Sequence, residues 1–312
     1  MRKNSSKKHG VNSLLNKSQS AMEYLMTYGW AILIIAIVLV ALFSLGIFNS
    51  SNFAPRAQPG ACEVLRNSVQ TSLVGQCNGM LPEYVASITG GYMKMYSSPT
   101  AFLPNYTVNL WINFLGASGE ILDSYMSIPG DAPACSYYVI SVNPLDVGSW
   151  NAYKTNNWIT SYSNITVPKN TWSMITMALS KGGTGTGTLT FYINGGSPDN
   201  TSSQEVNPGT SSLTSQSGSI MNVGGSGCPG NVIAGTLQAD LANMQIYNTS
   251  LSQSEIQALY KEGIGGAPIN VNNLVGWWPF NGNANDYSGN DNNGVPINVT
   301  YTSAWTSSYS AP

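Results

Sequence analysis

LANMQIYNTSLSQSEIQALYKEG, residues 241–263, decides how the greater part of the chain folds. Its first half is rich in β-forming residues and closes on an asparagine turn signal. From Leu251 the pattern turns helical. Ser252 and Glu255 have the spacing of a capping box, and Gly263 can end the helix. Outward from this stretch, period-two runs recur from about Tyr84: TVNLWINFL (107–115), SYYVISV (136–142), TWSMITMAL (171–179) and TLTFYING (188–195). Clusters of Gly, Pro and Asn separate them. Short alternating strands with a single short helix predict an all-β sandwich. SKGGTGTGT (180–188) reads as a hairpin turn, because Lys181 precedes its glycines and no helix follows, unlike a phosphate loop.

The other end of the chain has a different character. AILIIAIVLVALFSLGIF (31–48) contains no charge, and from Tyr24 the apolar run is about 25 residues, roughly 37 Å as a helix, enough to cross a bilayer. It is apolar nearly all round, so it must be buried in lipid or among copies of itself. Ala31, Ala36, Ala41, Ser44 and Gly46 let backbones approach closely. The preceding MRKNSSKKHGVNSLLNKS carries five basic residues and no acid, a flank that stays on the cytoplasmic side. NSSNFAPRAQPGA (49–61) reads as a linker, with Pro55 and Pro59 excluding a regular helix or central strand. CEVLRNSVQ (62–70) reads equally as a helical turn or a short strand.

Two resemblances follow from these motifs. The junction Lys17-Ser18-Gln19-Ser20, with EYLMTYGWAILII after it, resembles the class III signal of archaeal type IV pilins and archaellins. The resemblance implies that a prepilin (preflagellin) peptidase cuts between Ser18 and Gln19 and leaves the apolar helix on the mature protein. Glu23 becomes the fifth mature residue, and its partner in assembly would be the new α-amino group of Gln19 on a neighbouring subunit. It further implies a helical homo-oligomeric filament, built from a precursor in the cytoplasmic membrane and displayed at the cell surface. The second resemblance rests on TVNLWINF, MQIYN-x-x-LSQSEIQALY and GWWPFNGNANDYSGN (276–290). These are similar to a concanavalin A-like jelly roll of the laminin-G-like group. In that family the GWWPF segment usually begins the domain, whereas here it comes last. The order implies a circular permutation, with the old termini joined through GIGGAPINVNN (263–273). Alternatives are the stub of a second repeat, or a strand donated to the next head. Alternation expects one of Trp277 and Trp278 to point inward.

The fold expected is therefore α+β: a cleaved leader over 1–18, a hydrophobic helix over 19–50, a linker and disulfide loop over 51–83, and a laminin-G-like sandwich over 84–312. Four cysteines, Cys62, Cys77, Cys135 and Cys228, all follow the apolar helix, and an even number outside the membrane favours disulfides. Three pairings are possible; Cys62–Cys77 with Cys135–Cys228 is preferred. Sequons open at Asn49, Asn105, Asn164, Asn200, Asn248 and Asn298, consistent with an exported glycoprotein. Removing the leader leaves seven basic against fourteen acidic residues, which argues against nucleic-acid binding.

The one histidine, His9, lies in the leader. The mature chain then has no Ser–His–Asp, Cys–His or His–metal chemistry. Some enzymes on this fold hydrolyse glycans with a compact Glu-x-Asp-x-x-Glu run, which is absent. Glu120 and Asp123, three apart on a strand, are expected on opposite faces. No catalytic residue, metal site or cofactor is expected, although Asp286 or Asp291 could mark a Ca²⁺ site on this fold. Glycans are the ligand the fold allows. Trp111, Trp150, Trp158, Trp172, Trp277, Trp278 and Trp305 offer stacking faces, with core packing favoured for any one of them. If the leader is processed, mass spectrometry of the surface protein finds an N-terminus at Gln19 and no peptide from residues 1–18. A mature chain starting after Phe48 would defeat the filament expectation.

Overall fold

The computed structural model describes residues 11–45, 54–95, 105–127, 135–142, 146–151, 157–181, 187–202, 220–226, 233–234 and 237–312. The chain divides into two compact units, Met1–Phe53 and Ala54–Pro312. The first holds helix α1 (Val11–Ser44). It starts upstream of the expected residue 19 and ends before residue 50. Met26–Ser44 is long and apolar enough to cross a membrane. Its large side chains are exposed all round, and Ser44 Oγ donates to the Val40 carbonyl within the helix. Over Met26–Ser44 the described side chains are almost all apolar, with no polar stripe among them.

In chain order the second unit contains β1 (Arg56–Ala57), β2 (Cys62–Arg66), β3 (Thr71–Gly75), β4 (Leu81–Pro82), β5 (Val85–Thr89), β6 (Tyr92–Met95) and β7 (Tyr106–Phe114). Then come β8 (Gly119–Ser127), β9 (Cys135–Val142), β10 (Asp146–Asn151), β11 (Asn157–Tyr162), β12 (Trp172–Lys181), β13 (Gly187–Ile193) and β14 (Asp199–Ser202). β15 (Ile220–Val223), β16 (Gly225–Ser226), β17 (Ile233–Ala234) and β18 (Gln238–Tyr247) lead to α2 (Gln253–Glu262), then β19 (Leu274–Trp278), β20 (Gly294–Ile297) and β21 (Thr300–Thr302). Two sheets form the sandwich. One is seven-stranded, β11-β10-β9-β8-β15-β6-β20. The other is eight-stranded, β14-β13-β12-β7-β18-β5-β21, with β19 also paired to β18.

Alternation builds the core between the sheets. Val108, Leu110 and Ile112 of β7 meet Leu122, Ile140, Met221 and Val223 from the opposite sheet. The outer face of the eight-stranded sheet is apolar too. Trp111, Trp172, Met174 and Tyr247 are buried there beneath Ile256 and Leu259 of α2, with Trp305 and Tyr309 of the C-terminal tail. The expected capping box is present. Ser252 N donates to Glu255 Oε2 at 2.8 Å, and Glu255 N donates back to Ser252 Oγ. Hydrogen bonds from the Ser252 backbone and hydroxyl lower the Glu255 pKa.

Alternation turns one of the pair inward, as expected, and because this sheet has two covered faces Trp277 and Trp278 are both buried. Trp278 enters the core between the sheets, and Trp277 joins the layer outside. The tail belongs to its own sandwich: β19 pairs with β18, β20 with β6 and β21 with β5. This is the pairing a permuted head requires, and it removes the free stub and the donated strand.

The segment expected over 51–83 as a linker and disulfide loop keeps its disulfide but is no linker from residue 54 on. Residues 54–83 are built into the head. Cys62–Arg66 is a strand that pairs with β3, and β1 pairs with β4. A Cys62–Cys77 disulfide closes the hairpin. Arg66 donates to three main-chain carbonyls, of Ser288, Val271 and Leu274, and the Arg56 guanidinium lies 5.1 Å over the Trp305 ring. The prolines do exclude a central strand, since β1 is two residues long between them.

β18 is the spine of the eight-stranded sheet. It pairs with β7, then with β5 over its first half and β19 over its second. The changeover falls at Asn243, where the register slips and φ is 50°. Asparagine tolerates that left-handed backbone better than most residues. Its Oδ1 accepts from Trp277 Nε1 at 2.8 Å and Gln245 Nε2 at 3.0 Å, and its Nδ2 donates to the Gly266 carbonyl at 2.8 Å. Tyr247 donates to Gln245 Oε1; burial pushes its hydroxyl pKa up, which keeps it a donor. Asn243→Ala leaves the Trp277 N–H unpaired in the interior and strains the backbone, at a cost of about 3 kcal/mol or more. Thermal unfolding should fall by roughly 6–12 °C. An unchanged melting temperature would remove Asn243 from this role.

Candidate ligand-binding face

Strand register brings functional residue types together on the outer face of the seven-stranded sheet. Trp158 of β11 is the direct partner of Trp150 of β10. Trp150 pairs with Tyr137 of β9, and Tyr137 with Tyr125 of β8. Four aromatic positions thus form one row across four adjacent strands. Their side chains lie outside the described residues; the row is a property of the backbone. A second row runs beside it: Val139 of β9, Asp123 of β8, Asn222 of β15, Lys94 of β6 and Val295 of β20. Both rows alternate with Leu122, Ile140, Met221, Val223, Met93 and Met95, which point into the core, so both belong to the other face.

The second row is polar and deep. Asp123 and Asn222 are each 0% exposed, and Lys94 is half-buried. Asn222 Nδ2 and Oδ1 have no hydrogen-bond partner among the described residues. A register shift between Glu120 and Leu122 corrects one expectation. Glu120 pairs with Ser141 and Asp123 with Val139, so the bulge puts both acids on one face instead of opposite faces. Full burial still keeps Asp123 from meeting a substrate directly.

The opposite side of the sandwich is closed. Trp111 stacks on Tyr260 with centroids 5.7 Å apart and meets Tyr309 edge-on; Trp172 and Trp305 form a T-shaped pair at 5.9 Å. Trp111, Trp172, Trp277, Trp278 and Trp305 are therefore packing residues. The hollow between the disulfide hairpin and the tail, lined by Gly60, Cys62, Asn243, Trp277 and Asn281 among others, measures 40 Å³. It has room for a few waters and not for a sugar ring.

The NANDYSGND loop is held by Asp286. Its Oδ1 accepts from Trp277 N and Ser288 N, and its Oδ2 from Ser288 Oγ and Asn292 N, all at 2.8–2.9 Å. Four donors occupy the carboxylate that a cation would need, and Asp291 stands at a turn with φ 59°. No group of three or more His, Cys, Asp or Glu among the described residues could hold a metal ion.

Other sequence-derived positions fall as follows. Asn164, Asn248 and Asn298 are exposed in turns, and Asn105 is half-buried. Asn49, Cys228 and the side chains of Asn200 and Cys135 lie outside the described residues, as do those of Ser18, Gln19 and Glu23, although α1 runs through the last three. Sequence reasoning named Trp150 and Trp158 but missed their alignment with Tyr137 and Tyr125. Only the pairing register carries that information.

A family model described as the concanavalin A-like lectin/glucanases superfamily matches residues 89–257, more than half of the chain. Among solved structures, the heptameric SAP-like pentraxin of Limulus polyphemus is 15% identical, with 70% of this chain and 94% of that chain covered and a TM-score of 0.42. The sialidase CBM40 of Ruminococcus gnavus bound to α2,3 sialyllactose is 15% identical, covering 56% and 96%, with a TM-score of 0.42. Tailspike protein 2 of bacteriophage CBA120 is 11% identical, covering 69% and 34%, with a TM-score of 0.40. No curated protein sequence matches the chain.

Because Asp286 is spent on hydrogen bonds, a chelator should leave the melting temperature of the protein unchanged. Asp286→Asn, which cannot accept from both pairs of donors, should lower stability by about 2 kcal/mol whether or not calcium is added. A calcium-dependent rise in melting temperature would overturn this assignment.

Proposed function

The chain belongs to the concanavalin A-like lectin/glucanases superfamily, and on that footing we propose that its head is a non-enzymatic glycan-binding module held at a cell surface by its N-terminal helix. The observation that carries this reading is the aromatic row Trp158, Trp150, Tyr137 and Tyr125 on consecutive strands. Sugar rings present apolar C–H faces that stack on aromatic rings, and a row of them on a rigid sheet suits an extended glycan. The absence from the sequence of the compact Glu-x-Asp-x-x-Glu run, and the burial of Asp123, support binding over hydrolysis. Exposed asparagines at three sequons fit a glycosylated surface protein.

The anchoring mode is a filament. The basic leader precedes an apolar helix that has no polar stripe, which fits processing after Ser18 by a prepilin peptidase, insertion in the cytoplasmic membrane and packing of helices in a pilus-like or archaellum-like homo-oligomer. Glu23 would pair with the amine of Gln19 on a neighbour, since an unpaired acid is costly in an apolar bundle. The alternative is a minor pilin or a membrane-held lectin, and identifying the main protein of isolated surface filaments separates these from a major subunit.

Glycan-array binding of the purified protein tests the head. Trp150→Ala and Trp158→Ala should each weaken binding about five- to tenfold, the loss of roughly 1 kcal/mol or slightly more of stacking. No glycan bound, or variants that bind as well as the parent, would defeat the reading. Glu23→Leu should still insert in the membrane but yield few filaments; normal filaments in that variant would reduce the acid to an incidental residue.

A further inference from the structure

The polar row beside the aromatic one contains three residues whose order has a chemical meaning. Asn222 lies between Asp123 on one neighbouring strand and Lys94 on the other, each its direct antiparallel partner. Direct partners carry Cβ atoms about 4.5–5.5 Å apart, a gap the four-methylene stem of a lysine spans easily. The carboxamide is wholly buried, and neither its nitrogen nor its oxygen has a hydrogen-bond partner among the described residues. An unsatisfied amide in the interior is unusual and calls for an account.

We infer that Lys94 and Asn222 are joined by an isopeptide bond, formed autocatalytically with Asp123 as the proton carrier. The three roles follow from residue type and burial. The buried Asp123 carboxylate takes a proton from the Lys94 ammonium as the amine turns to its strand partner Asn222. The freed Nζ lone pair attacks Asn222 Cγ. Asp123 returns its proton to Nδ2, the Cγ–Nδ2 bond breaks, and the nitrogen departs. It takes the proton left on Nζ and leaves as ammonium. One amide bond forms and one breaks, with no oxidant, reductant or cofactor. Exclusion of water protects Cγ from hydrolysis while the amine attacks.

The product replaces an orphaned carboxamide with a cross-link between adjacent strands. It ties β6 to β15, its neighbour inside the seven-stranded sheet. The inference does not depend on glycan binding. A head that binds no glycan can still be cross-linked, and the reverse also holds.

Tandem mass spectrometry of a digest of the purified full-length protein, reduced and deglycosylated, tests it directly. A branched peptide joining Lys94 to Asn222, lighter by one ammonia than its two parts, is the result expected. Asp123→Asn should leave both parts separate and at full mass, and the intact variant should migrate more slowly than the parent on a denaturing gel. Recovery of Lys94 and Asn222 from the parent protein on unlinked peptides would overturn the inference. So would loss of ammonia without the branch, as from a cyclic imide at Asn222. The decisive measurement is made on the parent protein, so an Asp123→Asn chain that fails to fold does not blunt the test.

Discussion

The architecture of the head depends on one buried amide. Asn243 stands where β18 exchanges β5 for β19 as its neighbour, and its side chain satisfies Trp277 Nε1, Gln245 Nε2 and the Gly266 carbonyl at once. These groups come from the central strand, the returning tail and the loop after α2. Each would be costly to bury without a partner. The same residue supplies the positive φ that lets the strand slip register. The tail can therefore enter the sheet beside its own central strand, and everything C-terminal to α2 follows from that entry.

Tail entry makes the sandwich asymmetric. Once β19, the 3-10 turn at Thr306–Ser308 and the disulfide hairpin are in place, the outer face of the eight-stranded sheet is a second core. Two arginines pin the covering segments, Arg66 through three carbonyls and Arg56 through Pro82 and the Trp305 ring. Five of the tryptophans offered as stacking faces by the sequence are consumed there or between the sheets. The other sheet is left to carry the aromatic row and the buried Asp–Asn–Lys row. The aromatic positions and the fully buried amide occupy different rows of that one face.

The N-terminal unit obeys a separate constraint. Its helix carries Ile, Leu, Val and Phe on every side, a surface that is stable only in lipid or among like helices. The hydroxyl of Ser44, turned back to its own helix, is what such surroundings demand.

Much of this was legible in the residues themselves. The apolar span, the period-two runs, the capped helix at Ser252–Glu255 and the sandwich class each depend on local spacing, and local spacing is visible along a chain. The likeness of the GWWPF and QIYN segments to a laminin-G-like domain, and their reversed order, were equally plain. Other features were decided by tertiary structure alone. Strand pairing aligned Trp158, Trp150, Tyr137 and Tyr125, whose separations in sequence follow no period. A bulge after Glu120 turned two acids to the same side, against simple alternation. The second cover on the eight-stranded sheet buried both Trp277 and Trp278, and the clamps of Arg56 and Arg66 drew residues 54–83 into the head. The reason is common to all of these: which strand lies beside which, and what covers a face, depend on contacts between residues far apart in the chain, and no pattern within a single segment encodes them.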